Sequence, residues 1–186
     1  MPDVAVVGGG PAGLSAALFT AKNGLETVVF DTDETWMHKA HLFNYPGIRS
    51  ISGSEFMTVT RGQVRDRGAD VREDEEVTDV EPIGDGGFTV ETTDDAYDAD
   101  YVVLATGADR SIAEDLAVEF ADDGTVDVDL DTETSIDDLY ATGAMVRDEE
   151  WQAVIAAGDG ASAALDILSK EKGEHFHDFD VPDDVA

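Results

Sequence analysis

The chain has 186 residues, no cysteine, and 43 Asp and Glu against 11 Lys and Arg, for a formal net charge of −32. A single domain of this length buries about 70% of the surface its unfolded chain exposes. Without thiols it has no disulfide, iron–sulfur cluster, thiolate metal site or dithiol relay of its own. So large an excess of negative charge repels phosphate backbones and anionic lipid, so neither nucleic acid nor a membrane surface is expected as a partner.

Residues 3–7 predict a short buried strand. "PAGLSAALFTAKNG", residues 11–24, predicts a helix with Leu14, Ala17, Leu18 and Ala21 on its apolar face and Gly24 as its stop. "ETVVFD", residues 26–31, is a second strand. Strand, glycine turn, helix and strand within about thirty residues make a parallel βαβ unit. Residues 32–53 read as an extended loop holding Trp36, His38, His41, Phe43, Tyr45 and the Pro46-Gly47 turn. "SEFMTVTRGQVRDRG" reads as a helix, with Ser52 or Ser54 as its cap and Gly68 as its end.

Short strands follow at 69–72, 76–81 and 87–92, the last two joined by "IGDGG" as a hairpin turn. "YVVLATG", residues 101–107, is a continuous apolar run suited to a strand buried on both faces of a parallel sheet. "LYATGAM", residues 139–145, resembles it in miniature. Residues 109–123 join two apolar runs without clear periodicity. The final helix is "WQAVIAAGDGASAALDILSK", rich in small residues that allow close approach. The expectation is one α/β domain over residues 1–170, with 171–186, including Pro182, as a loose polar tail.

"GGGPAG" sets Gly8, Gly10 and Gly13 in G-x-G-x-x-G spacing between a strand and a helix. In such a loop the first glycine permits the tight turn, the second lets backbone approach a pyrophosphate, and the third lets helix pack on strand. The helix start adds unpaired N–H groups and about half a unit of positive charge. Asp31, at the end of the second strand, stands where a carboxylate can accept both ribose hydroxyls of an adenosine and disfavours a 2′-phosphate. The loop itself does not separate FAD from NAD.

The rest of the chain resembles the FAD-binding domain of the thioredoxin reductase family, within the two-dinucleotide flavoproteins. The matching residues are "GGGPAGLSAA", Asp31, "NYPGI" at 44–48, "SGSEFMTVTRGQVRDRGADV", "YVVLATGA", "GTVDVDLDTETSIDDLYATGA" and "QAVIAAGDGASAALDIL". The resemblance covers nearly all of residues 3–170 in the family's order. It implies a Rossmann-like, three-layer FAD/NAD(P)-binding α/β domain with a parallel sheet and a β-meander crossover. It implies FAD as the cofactor, with Gly8, Gly10, Pro11, Ala12 and Gly13 at the pyrophosphate and Asp31 at the ribose. It further implies Asn44 near the isoalloxazine, Val77 at the adenine by its backbone, and Thr106 and Gly107 covering that half. Gly143 and Ala144 would flank the ribityl chain, and Gln152 and Ala153 the flavin's pyrimidine edge. A homodimer is implied by the resemblance alone.

The sequence also departs from the family. Only the segment from Asp109 to Ala121 stands where the family inserts a nicotinamide-binding domain, and no second G-x-G-x-x-G follows a later strand. The Cys-x-x-Cys of that domain is missing. Ala144 replaces the usual Asp of a Gly-Asp pair, and Trp151 a basic residue.

His38 and His41 lie in the loop expected to cross the flavin, where ordinary loop histidines outweigh a proton donor. Trp36, Tyr45 and Trp151 shield a flavin or simply pack. His175, His177, Asp178 and Asp180 carry metal-capable atoms, but a solvated tail is the better reading and no metal site is expected. No nucleophile with a base beside it emerges, so no catalytic residue is assigned.

Three functions fit. The first is a flavoprotein oxidoreductase fed by an external donor: a reduced nicotinamide, a ferredoxin or a partner protein. The second is a non-catalytic FAD-binding module acting as sensor or store. The third is an assembly scaffold that binds nothing. Thioredoxin reductase activity as such is disfavoured by the missing thiols.

Apolar residues still make up 42% of the chain, and acids such as Asp94-Asp95 and Asp122-Asp123 sit between apolar runs. That is a folded core under an acidic coat, resembling the proteins of salt-in halophiles, where ions screen self-repulsion. No stretch nears the ~20 apolar residues of a membrane span. The N-terminus has no basic segment followed by an apolar signal region, so a cytoplasmic location is expected. Circular dichroism is expected to show structure lost in dilute buffer and restored in concentrated KCl; cooperative unfolding retained in dilute buffer would contradict this.

Overall fold

The chain's computed structural model describes residues 1–84 and 86–180. In chain order the elements are β1 (Val4–Val7), α1 (Pro11–Lys22), β2 (Thr27–Asp31), a 3-10 turn (Trp36–Lys39), β3 (His41–Leu42), β4 (Ile51–Ser52), α2 (Gly53–Asp66) and β5 (Asp70–Glu73). There follow β6 (Val77–Pro82), β7 (Phe88–Thr92), β8 (Ala96–Ala99), β9 (Tyr101–Leu104), α3 (Ser111–Asp115), β10 (Leu139–Ala141), a 3-10 turn (Gly143–Val146) and α4 (Ala153–Lys172).

Five of these strands form one parallel sheet in the order β10-β9-β1-β2-β5. Val4 stands level with Thr27 on one side and Tyr101 on the other. Every residue of β1, β2, β9 and β10 is buried, because both faces of the sheet are covered. That is why these strands read as continuous apolar runs rather than alternating ones.

Alternate side chains feed two cores. Val4, Val6, Val29, Val103 and Tyr140 point towards Leu14, Met57, Val64 and Ile167 of α1, α2 and α4. Ala5, Val7, Phe30, Val102 and Leu104 point the other way, towards Val80, Phe88, Val90 and Ala99 of an antiparallel meander, β6-β7-β8. Helices, parallel sheet and meander are the three layers expected. Full burial of each Val or Leu in them is worth about 1.5–3 kcal/mol relative to exposure.

The small residues of α1 and α4 let the two helices meet at backbone distance. A Cβ added to Gly160 would stand 2.0 Å from the carbonyl oxygen of Ala12. Ser15 Oγ donates to the Ala157 carbonyl at 2.7 Å across the same contact.

Several local features differ from the sequence reading. The loop over 32–53 contains the Trp36–Lys39 turn and the two-residue ladder of β3 with β4. Ser52, not Ser54, caps α2, accepting the Glu55 N–H at 3.2 Å. β8 has no counterpart in the reading because "AYDA" is a short edge strand with only Ala99 buried. Residues 109–123 contain α3. The "IGDGG" turn closes through Gly86 N–H to Ile83 oxygen at 2.9 Å, with Asp85 itself outside the described residues.

α4 starts at Ala153 rather than Trp151 and runs to Lys172, where Gly173 takes φ 66°. Beyond it, Lys22 holds Asp178 at 2.7 Å and Asp180 at 2.5 Å, and the Phe176 N–H reaches Ser169 Oγ at 3.0 Å. Residues 173–180 are therefore tied to α1 and α4 rather than loose, while Pro182 and the rest of 181–186 lie outside the described residues.

The α1–α4 contact predicts a contrast between two glycines of one helix. Gly160→Ala is expected to lower stability by about 1–3 kcal/mol through overpacking. Gly158→Ala, where a Cβ meets nothing within 4 Å, is expected to be neutral or stabilising by up to about 1 kcal/mol. Denaturant midpoints in concentrated KCl check both.

Candidate functional site

β1 delivers the glycine loop to the carboxyl edge of the sheet, between β2 and β9. Three of the loop's glycines are required by the protein's own packing. Gly8 has φ 109°, and a Cβ on it would lie 2.3 Å from the Ala105 oxygen at the end of β9. One on Gly9 would lie 2.1 Å from Cγ of Asp31, and one on Gly13 would lie 1.9 Å from the Gly8 oxygen.

Gly10 is different. A Cβ there meets only Thr35 Oγ1 at 3.9 Å, and its backbone (φ −77°, ψ −175°) suits any residue. It begins α1, whose first turn has no acid and no capping side chain, with Pro11 at the first position. The N–H groups of Ala12 and Gly13 precede the helix's own acceptors. The result is a bare positive helix end beside an open glycine, the arrangement that receives a phosphate.

Asp31 is 3% exposed. Arg61, on the buried face of α2, donates Nε to its Oδ2 at 2.7 Å, with an Nη in ionic contact with the same oxygen at 2.7 Å. The N–H of Asp33 donates to its Oδ1 at 2.8 Å. Arg61 also pairs with the Asp33 carboxylate, which His38 Nε2 meets at 2.7 Å. Burial alone would lower the Arg61 pKa, but the hydrogen bonds and charges of Asp33 and Asp31 more than reverse this and hold it raised. Burial alone would raise Asp33, but His38 and Arg61 hold it below its ordinary value.

The second half of the edge is built by β10 and α4. Gly143, at φ 73°, sits with its would-be Cβ 3.1 Å from that of Ala12 and 3.6 Å from that of Ala156. The segment after β10 thus lies against the starts of both α1 and α4. Gln152 precedes α4, which also lacks a side-chain cap and has no acid in its first turn. Asn44 Nδ2 donates to Gln152 Oε1 at 2.8 Å, so two residues 108 positions apart that the resemblance assigned to the flavin are joined directly.

Other assigned residues stand further out. Thr106 Oγ1 is occupied by the Asp109 carbonyl at 2.6 Å, and Gly107 takes φ 72° in open space. Ala144 offers its carbonyl to an Nη of Arg110 at 3.4 Å, and Ala153 is the first residue of α4. Val77 opens β6 opposite Thr92 and packs with the meander core. It follows Asp74, whose N–H reaches the Asp31 carbonyl at 2.8 Å.

Tyr45 is half-buried and packs on Phe56 with ring centres 5.4 Å apart, whereas the other aromatics singled out are surface features. Trp36 (56% exposed) and Trp151 (44%) pack on one another with ring centres 5.2 Å apart. His41 stacks on Phe43 and bonds Ser50, while His38 bridges Ser54 and Asp33. Asn44 lies in a hollow of about 520 Å3 formed by residues 43–49. The glycine loop is not part of that hollow. Among the described residues no group of three or more His, Asp or Glu gathers as metal ligands, and no helix is long and apolar enough to cross a membrane.

The profile of the pyridine nucleotide-disulphide oxidoreductases matches residues 2–48 and 44–161. The chain belongs to that family. A thioredoxin reductase of Mycolicibacterium smegmatis is 37% identical over 112 residues, 57% of this chain and 35% of that protein. The chain thus spans about a third of the length of such relatives. In fold it matches a thioredoxin reductase from Gloeobacter violaceus with a TM-score of 0.85 at 22% identity, over 97% of this chain and 98% of the other. A ferredoxin-flavin thioredoxin reductase from Clostridium acetobutylicum gives 0.79 at 19%, over 93% and 99%. The family's FAD-binding domain is the part represented here.

Arg61, Arg110 and the Arg147–Asp159 pair were not singled out from sequence. Arg61 had a readable signal: it falls in helical phase with Met57 and Val64, and a cation on a buried face needs an acid. Asp159 likewise interrupts the small-residue face of α4 and is 6% exposed.

The loop yields a discriminating pair of variants. Gly10→Ala is expected to keep stability within about 1 kcal/mol, the scale of a changed helix cap, yet weaken dinucleotide binding about tenfold or more by blocking phosphate approach. Gly13→Ala is expected to destabilise the fold itself by more than about 2 kcal/mol. Thermal unfolding with and without added FAD separates the two.

Proposed function

We propose that this chain binds FAD along the carboxyl edge of its sheet and works as a flavoprotein oxidoreductase whose electrons come from a donor outside the chain. The observation that carries this reading is Gly10. It is the one glycine of the motif that neither backbone conformation nor a protein neighbour requires, and it stands at the bare start of α1. In a chain of net charge −32, a fixed positive end left uncovered is best explained by an anionic ligand.

FAD bound there would supply the redox chemistry, accepting and passing on electron pairs. The chain's own groups fit it. The N–H groups at the start of α1 hold the pyrophosphate. Asp31 receives the adenosine ribose, and the linked Asn44 and Gln152 border the flavin. The uncapped start of α4 favours negative charge on a reduced flavin and so raises its potential. The family supplies the reaction class.

Between β9 and β10 the described residues form α3 and an irregular segment over 116–138 with isolated bridges such as Phe120 to Val126, and no second glycine-rich βαβ unit. This supports an external donor: a reduced nicotinamide, a ferredoxin or another partner protein. The missing cysteines weigh against thioredoxin reduction by this chain alone.

Protein purified in concentrated KCl is expected to be yellow and to release FAD. Anaerobic additions of NADH, NADPH and reduced ferredoxin are expected to identify one that bleaches the visible absorbance. Colour bleached by dithionite alone would favour a sensor or store. Colourless protein whose unfolding midpoint does not rise with FAD would contradict the reading.

A further inference from the structure

The Asp31 carboxylate is almost fully committed within the protein. A carboxylate offers about two acceptor positions on each oxygen. On Oδ2 one is taken by Nε of Arg61 at 2.7 Å, and the other side is crowded by an Nη of the same guanidinium, in ionic contact at 2.7 Å, and by Gly9. On Oδ1 one is taken by the Asp33 N–H at 2.8 Å, leaving a single uncrowded acceptor position. Arg61 is itself 6% exposed and pairs further with Asp33, with Glu73 at 3.8 Å beyond. The carboxylate also lies hard against Gly9, where any Cβ would overlap it. Its orientation is therefore set from one side by Arg61 and from the other by the glycine loop.

We infer that Arg61 is a positioning residue for the dinucleotide: it orients Asp31 so that the one open position on Oδ1 accepts one hydroxyl of the adenosine ribose. The inference rests on the FAD reading above. It narrows that reading, since the sequence pattern alone suggested acceptance of both hydroxyls. Arg61 acts through Asp31 and touches no ligand in this account. Its role is preorganisation: the acid is held in place before the ligand arrives, so binding does not have to order it. Lysine carries the charge but lacks the two-nitrogen fork that fixes a carboxylate in one plane.

The test is a double-mutant cycle on the apoprotein in concentrated KCl, reading dissociation constants for FAD and for FMN, which lacks the adenosine. Arg61→Met and Asp31→Asn are each expected to weaken FAD about tenfold or more, the scale of a hydrogen bond to a charged group. In the Asp31→Asn background Arg61→Met is expected to cost less than about twofold, because its effect runs through the acid. FMN affinity is expected to stay unchanged throughout, and Arg61→Lys to recover part of the FAD loss.

Arg61→Met alone leaves a buried unpaired carboxylate and is the variant at risk of misfolding. The neutral pair Asp31→Asn with Arg61→Met avoids this, and comparing it with Asp31→Asn alone gives the decisive ratio. Losses that multiply in the double variant, FMN and FAD falling together, or FAD affinity indifferent to Arg61→Met would each overturn the inference. Wild-type protein that binds no FAD would overturn the flavin reading and this inference with it, an outcome distinct from those three.

Discussion

A Cβ on Gly13 would stand 1.9 Å from the carbonyl oxygen of Gly8, and one on Gly160 2.0 Å from that of Ala12. These two backbone approaches seat the first turn of α1 between the end of β1 and the middle of α4. Neither tolerates a side chain, so the helix start has a single position. With no side-chain cap and a proline at its first residue, that start presents its N–H groups to the sheet edge. The rest of the site is arranged around it: Asp31 against Gly9, Gly143 against Ala12, and Asn44 bonded to Gln152.

The electrostatics of the chain sharpen the point. Cations are scarce, and most of them serve the fold. Lys22, Arg61, Arg65, Arg72, Arg147 and Lys170 pair with acids, and Arg110 bonds the carbonyls of Ala144, Met145 and Arg147. The exposed pairs among them contribute about 0–1 kcal/mol each, so they offset only part of the self-repulsion of the acidic coat. At the glycine loop the bare start of α1 supplies positive potential from backbone dipoles. A ligand with a pyrophosphate suits that source, because its charge sits on the helix end while its two arms run out to either side.

The layers were legible in the sequence where burial on both sides made the strands continuously apolar. "VAVV", "TVVF" and "YVVL" are such runs, and the glycine motif marked the turn between strand and helix. β8 was not legible because an edge strand with one buried residue leaves no pattern, nor was the fastening of residues 173–180, which depends on Lys22 some 156 positions away. At the site, motif spacing picked out the glycines and Asp31, but could not separate glycines needed for packing from the one left open to a ligand. That distinction arises only from which neighbours the fold brings against each glycine. The Asp31–Arg61 pairing was hidden for the same reason: nothing in their spacing of 30 residues brings them together until α2 packs against the sheet at the end of β2.

The central claim is that α1 begins where a dinucleotide's phosphates belong. A crystal structure of the protein grown in concentrated salt with saturating FAD tests it most directly. The account predicts the pyrophosphate against Gly10, within hydrogen-bond reach of the Ala12 and Gly13 N–H groups, and the adenosine ribose beside Asp31. Density for FAD elsewhere on the molecule, or an empty sheet edge at saturation, would contradict it.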